Sequence, residues 1–397
     1  MDLHVSESIT KHATIVHLPI NSTFCLLEMH STLVMKRAAA SFAPITPCLS
    51  LNGCIFKRHS SDLSELKAEM TARKLGAIPD VLTVIPTRLL NATLADFLPN
   101  HFVGRPAILP YGYHLVHFPP AIRSSKLLPD GTDPQQSPGG LFTRRMWAGG
   151  DISFGKSGKF DNSPIHCLER ITNVQFRGLE ENQKIFVNIE RSVFPGEKPG
   201  ASRDESGSWT RGLLKETRTL VFMRSDRPKA PVDASNTSDK VLKTAQNPDY
   251  SHHLIPTPTL LFRFSALTFN AHAIHLDKQY CREVEGHRNL LVHGPLSLVL
   301  MLQFLQHCLR QENRERVDGK IERIHIIQYR NLAPLYAEED MKICLKRKGK
   351  DDRQPNWDVW IEGRDGGYAV KGAVTTRIVD KKNAHEVDVN HQVHNSG

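Results

Sequence analysis

The sequence predicts an α+β fold built on antiparallel sheets, and three observations carry that expectation. Residues 295–312 form one long helix that is apolar almost all round. A meander of strand candidates follows it, and in the first half of the chain helical sequence is again followed by several strands. A helix apolar on every side must be wrapped by other structure, and strands in series favour antiparallel pairing. At 397 residues the chain can hold two domains with sizeable cores.

In chain order, residues 1–60 form an N-terminal extension. Within it, residues 35–60 hold Lys36, Arg37, Lys57 and Arg58, no acidic residue, and many small and hydroxyl side chains. That is the composition of a mitochondrial presequence, with delivery to the matrix and Met35 as the start; an unstructured tail is the alternative. Asp62–Lys74 then reads as an exposed helix and Thr87–Phe97 as a second. Residues 104–140 are dense in Pro and Gly and read as a long excursion with turns. Strands are expected at Gly150–Phe154, Ile171–Phe176, Lys184–Val193 and Arg218–Met223, where β-branched and aromatic residues partly alternate. The loop Pro195–Ser208 reads as a surface insertion.

A polar, turn-rich linker is expected at 226–252, dividing a first domain (61–225) from a second (253–378). The second opens on a strand-like run, Leu260–Phe264. After the 295–312 helix, strands are expected at Arg323–Tyr329, Met341–Lys346, Trp357–Glu362 and Tyr368–Arg377, and a disordered tail at 379–397. In the helix, Gly294 suits the N-cap and Pro295 the first helical position. It is too short, and too soon polar at His307 and Arg310, to span a bilayer.

Composition narrows the partners. The net charge of +9 suits a solvated basic surface, or a partner rich in phosphate or carboxylate. No dense Lys/Arg run, zinc-knuckle spacing or Gly-Phe aromatic signature points to nucleic acid. Seven scattered cysteines without a CxxC pair imply reduced thiols.

The chemistry gathers just before the long helix. Asn270, His272, His275 and Asp277 fall within eight residues, FNAHAIHLD, followed by YCREVEGH and VHGPL. This order resembles the hydratase motif of the MaoC-like, hotdog-fold dehydratases. Its nearest likeness is to the mesaconyl-CoA hydratase and mitochondrial hydroxyacyl-thioester dehydratase branch. That motif places Asp, then Asn two residues on, then His three further. Here the spacing holds at 270, 272 and 275, with Asn270 in place of the acid and His272 in place of the amide. Ala273 stands where the branch carries Arg. Upstream, RRMWAGGDISF (144–154) resembles the branch's non-catalytic first half.

The resemblance implies a double hotdog, two units each with an antiparallel sheet wrapped around a central helix. It implies a hydro-lyase acting on a (3R)-3-hydroxyacyl or related hydroxyacyl thioester. No cofactor is expected, because the substrate itself carries coenzyme A or phosphopantetheine. The partner is then an acyl-CoA or acyl carrier protein thioester, without nucleic acid or membrane insertion, and a homodimer is compatible with it. A hotdog thioesterase, and a non-catalytic acyl-thioester-binding protein, are the alternatives.

Roles follow from residue chemistry. An imidazole takes and returns protons near neutrality, which suits His275 to the alpha-proton transfer of a dehydration. An amide cannot be a base, so Asn270 orients water or the substrate hydroxyl, and the remaining proton falls to His272 or to an inward-turned Asp277. Asp277 equally suits a cap on 277–284. Backbone amides near Gly294, at a positive helix end, suit a thioester oxyanion. His293 is a substrate-contact candidate or a turn residue, and Trp147 serves either core or pocket. A rival metal reading uses the HxxH spacing of His272 and His275 with Asp277 and His252-His253. A nucleophilic role for Cys281 lacks any elbow motif.

Overall fold

The computed structural model describes residues 60–99, 108–155, 158–179, 182–196, 212–225, 242, 244, 246–349 and 355–381. Residues 1–59, on which the expected presequence falls, the tail after 381, most of the 195–208 loop and most of the 226–252 linker lie outside the described residues.

The first unit comprises α1 (Ser60–Ala72), β1 (Ala77–Val81), α2 (Val84–Leu94), β2 (Arg144–Phe154), β3 (Pro164–Arg177), β4 (Lys184–Pro195) and β5 (Leu214–Met223). The second comprises β6 (Tyr250–Leu254), α3 (Pro258–Leu267), α4 (Gly294–Glu315), β7 (Lys320–Asn331), β8 (Met341–Lys348), β9 (Asn356–Glu362) and β10 (Tyr368–Asp380). All ten strands join one antiparallel sheet in the order β1-β3-β4-β5-β2-β7-β10-β9-β8-β6. Read outward from the β2–β7 seam, the two halves repeat the same strand pattern. This is a double hotdog.

At the seam, Gly150 pairs with Tyr329 and Ile152 with Ile327. Gly149 sits on a bulge with φ 141°, and a Cβ there would lie 2.3 Å from the Tyr329 carbonyl oxygen. Only glycine lets the strands close at that point.

α4 is the central helix of the second unit. Ten consecutive residues, Leu296–Leu305, are buried, and Cys308 and Leu309 continue the apolar surface. Truncating one of its buried leucines to alanine costs about 2–5 kcal/mol by the usual cavity effect. The first unit has no comparable helix among its described residues. Among its described residues, the Pro- and Gly-rich excursion supplies only the short 3₁₀ turns Tyr113–Val116 and Ser124–Lys126. Gln303 of α4 donates to the Tyr111 carbonyl at 2.7 Å, fastening that excursion to the second unit's helix.

Four expectations change. Leu260–Phe264 is helical, because Thr257 caps the Leu260 N–H at 3.1 Å and Pro258 starts α3. Leu260, Leu261 and Phe264 face inward while Phe262 is exposed, a helical and not an alternating pattern. The helix expected at 62–74 is not wholly exposed, since Met70 is completely buried in the first unit's satellite core. β1 and β6 are five-residue edge strands without a local signal, and β6 moves the start of the second unit back to Tyr250. α4 begins one residue early: His293 is the N-cap, Gly294 and Pro295 the first two helical positions.

Candidate active site

The site is built at the corner that ends α3. Phe269 adopts φ 52°, a left-handed conformation costing a non-glycine residue about 1–2 kcal/mol. The chain then doubles back. The Asn270 N–H donates to the Ser265 carbonyl at 2.8 Å, and its Oδ1 accepts the His272 N–H at 3.0 Å. Asn270, His272 and His275 all border a cavity of about 500 Å³. Gly294 and Ser297 of α4 border it too, and Arg145 and Trp147 of β2 face them from the first unit.

His275 has a defined tautomer. Its Nδ1 lies 2.8 Å from the Leu291 carbonyl, which can only accept, so Nδ1 holds the proton and Nε2 keeps the lone pair. Its ring stacks on His293 at 3.6 Å between centroids, 23° from parallel. His293 is buried with Nε2 2.8 Å from Ser265 Oγ, and it does not border the cavity. It backs His275 instead of meeting a ligand. His272 packs edge-on to His275 at 5.5 Å, and its Nε2 lies 3.6 Å from Asp130 Oδ2 of the first unit.

Burial lowers the proton affinity of all three imidazoles. His275 falls to about 4 from the ordinary 6.5, only partly offset by its bond to Leu291. Burial likewise holds His272 and His293 well below that value, helped by neighbouring histidines and, for His272, by Arg145. Unfolded, these rings bind protons below about pH 6.5; folded, they resist until far lower. Stability is therefore complete above 6.5 and is lost as pH falls from 6.5 toward 4, by up to about 1.4 kcal/mol per pH unit for each ring. Urea unfolding at pH 7, 6, 5 and 4.5 checks this. The His275→Gln variant should show a shallower slope, and an unchanged slope would count against it.

Other expected residues sit elsewhere. Asp277 is exposed, and its Oδ1 accepts the Tyr280 N–H at 2.9 Å, capping the π-helical turn Tyr280–Val284. Its local hydrogen bond holds it out of the cavity, so the capping reading stands over the inward acid. His252 Nε2 meets the Phe97 carbonyl and His253 meets Asp340, so neither joins His272 and His275. Cys281 donates its thiol to the Ile274 carbonyl and is pushed by burial up to about 11, which keeps it protonated.

The helix end is a donor site. Pro295 has no N–H and Ser297 donates to the His293 carbonyl at 3.0 Å, which leaves Gly294 and Leu296 without intrahelical acceptors. A Cβ on Gly294 would stand 2.7 Å from Asn331 Nδ2 and 3.0 Å from the Trp147 Cβ. Asn331 donates to the Trp147 carbonyl at 2.7 Å, and its Oδ1 is a buried acceptor without a partner at the cavity wall. Trp147 donates to the Tyr329 hydroxyl at 2.8 Å, so it is core and pocket at once. Sequence reasoning missed Asn331, Ser265 and Asp130, none of which carries a local signal beyond ordinary strand, helix or turn chemistry.

A family model for hydroxyacyl-thioester dehydratase type 2 matches residues 112–337, more than half of the chain. The chain belongs to that family. It is 26% identical over 299 residues to the mitochondrial hydroxyacyl-thioester dehydratase type 2 of Schizosaccharomyces pombe, covering 72% of this chain and 92% of that one. It is 28% identical over 274 residues to a mesaconyl-C(4)-CoA hydratase of Chloroflexus aurantiacus, covering 67% and 83%. A solved MaoC-like dehydratase from Phytophthora capsici shares the fold at a TM-score of 0.51 and 10% identity, over 77% of this chain and 97% of that one.

In this chain, the cavity extends onto the inner face of the first unit's sheet. Arg191 and Arg218 border it there, and both are ion-paired: Arg191 with Glu169 at 3.1 Å, Arg218 with Glu216 at 2.9 Å. Arg145, nearer His272, has no carboxylate within 4.0 Å among the described residues, and donates to the Asp133 carbonyl.

Proposed function

We propose that this protein catalyses the reversible dehydration of a (3R)-3-hydroxyacyl thioester of coenzyme A or acyl carrier protein. The observation that carries the reading is the convergence of Asn270, His272 and His275 on one cavity at the donor end of α4. The thioester carbonyl rests against the Gly294 N–H at the start of α4, which takes up the charge that develops on its oxygen. His275 Nε2 removes the alpha proton and passes that same proton to the beta hydroxyl, which Asn270 orients and which leaves as water. A C–H and a C–O bond break, a C=C and an O–H bond form, and His275 ends neutral as it began. Depressed proton affinity keeps the His272 and His275 rings neutral at physiological pH, as a base requires.

The assay is hydration of trans-2-enoyl-CoA and enoyl-acyl carrier protein thioesters by the full chain, followed as loss of enoyl absorbance. Silence on short, medium and branched dicarboxylic substrates alike would sink the reading. Release of free thiol would indicate a thioesterase. Acyl-CoA binding without turnover, indifferent to His275→Ala, would indicate a binding protein. A mitochondrial location accords with the acid-free basic stretch 35–60 and with the names of the yeast relatives. A reporter fused to residues 35–60 that stays cytosolic would overturn it.

A further inference from the structure

The second unit does not complete the site alone. Residues 128–132 of the first unit form a closed turn, with Leu128 N–H on the Thr132 carbonyl and Gly131 N–H on the Leu128 carbonyl, both at 2.8 Å. That turn is built against residues 271–273. The Ala273 N–H donates to the Asp130 carbonyl at 2.9 Å. Gly131, at φ 81°, lies so close that a Cβ would be 2.0 Å from the Ala271 carbonyl oxygen. Within the turn, Asp130 Oδ1 is held by the Thr132 N–H at 3.0 Å and the Thr132 hydroxyl at 2.5 Å. Its other oxygen, Oδ2, is therefore aimed, and it stands 3.6 Å from His272 Nε2. Both side chains are largely buried, 12% and 9% exposed.

We propose that Asp130 is the positioning carboxylate of this site: it accepts the Nε2 proton of His272, fixes that ring's tautomer and stabilises its protonated form. The inference rests on the functional reading above and deepens it. The motif's acid is absent at 270, and the first unit returns a carboxylate to His272, 3.6 Å from its Nε2 and outside the cavity wall. With its Nε2 proton directed at Asp130, His272 keeps the Nδ1 lone pair for proton exchange. The 3.6 Å separation is slightly beyond hydrogen-bond length, and such contacts tighten when substrate is bound. Around the His272 ring, Asp130 and Arg145 face it from the first unit, with Asp133 against Arg145. From its own unit His275 faces it, and His293 lies behind. Asp130 is the carboxylate nearest the ring among the described residues, so its removal should be felt directly.

The test uses the full chain with ¹⁵N-labelled histidine, the His272 signals being assigned by their loss in His272→Gln. In Asp130→Asn, the amide oxygen still holds Thr132, so the turn persists while the charge is gone. The expected result is a fall of about one pH unit in the His272 titration and a shift of its neutral form away from Nε2–H. Asp130→Glu should recover much of both. In turnover, Asp130→Asn should lower kcat by roughly 10²-fold with little change in KM, and move the corresponding limb of the pH profile. An unchanged tautomer and titration in Asp130→Asn overturns the proposal. So does a glutamate variant that behaves like the asparagine one. The NMR arm needs no substrate, so an enzyme inactive on every thioester would defeat the functional reading while the role of Asp130 is still decided.

Discussion

His275→Ala should lower turnover by about 10²–10⁴-fold, the contribution expected of a positioned general base. The structure makes the expectation specific. Leu291 holds the proton on Nδ1, His293 supports the ring from behind, and Nε2 alone is left to accept a proton. The loss should fall on kcat more than on KM, because the ring is one part of a cavity wall that Asn270, Gly294 and Trp147 still form. In the wild type the base must be neutral, so activity should persist down to about pH 5 and decline as pH approaches 4. The alanine variant should lack that limb. Near-full activity in His275→Ala, with His272→Ala dead, would transfer the base to the other imidazole.

Glu216→Ala should destabilise the fold by about 3–5 kcal/mol, because it breaks a buried ion cluster from its centre. The Glu216 side chain is 1% exposed, 2.9 Å from Arg218 Nε, 3.5 Å from His114 Nε2 and 3.8 Å from Arg191. Burial pushes its carboxyl upward, but Arg218, His114 and Arg191 hold it far below the usual carboxylate range. Arg191 keeps Glu169 when Glu216 is removed, whereas Arg218 loses its carboxylate and stays partly buried over the Trp147 ring. Chemical denaturation measures the loss. A change under about 1 kcal/mol would mean that solvent or repacking replaces the carboxylate. Because Arg191 and Arg218 form cavity wall, the surviving folded variant should also bind thioesters more weakly.

The second unit's core was legible in the residues themselves. A helix apolar on every side with Gly-Pro at its start, and strand runs rich in β-branched residues, are local signals whose period and caps report burial directly. The grouping of Asn270, His272 and His275 before that helix was visible for the same reason, since neighbours in sequence stay neighbours at a tight corner. Local reading failed where two local signals competed. Leu260–Phe264 has the composition of a strand, and the Thr257-Pro258 cap decided for helix. It also left Asp277 undecided until its bond to Tyr280 turned it outward.

What only the tertiary structure decided is which distant residues meet around the site. Asp130 reaches His272 because the first unit's turn docks on residues 271–273, and Asn331 reaches Trp147 because β2 and β7 meet at the seam. Neither pairing leaves a period, a cap or a spacing in the sequence. Each is created when two sheets join edge to edge and bury a common cavity. The sequence by itself determined the central helix, the inner strands and the imidazoles, because their signals lie within a few residues of one another; the edge strands β1 and β6 left none. The carboxylate, the amide and the arginines that surround those imidazoles were decided by packing across the two halves of the chain.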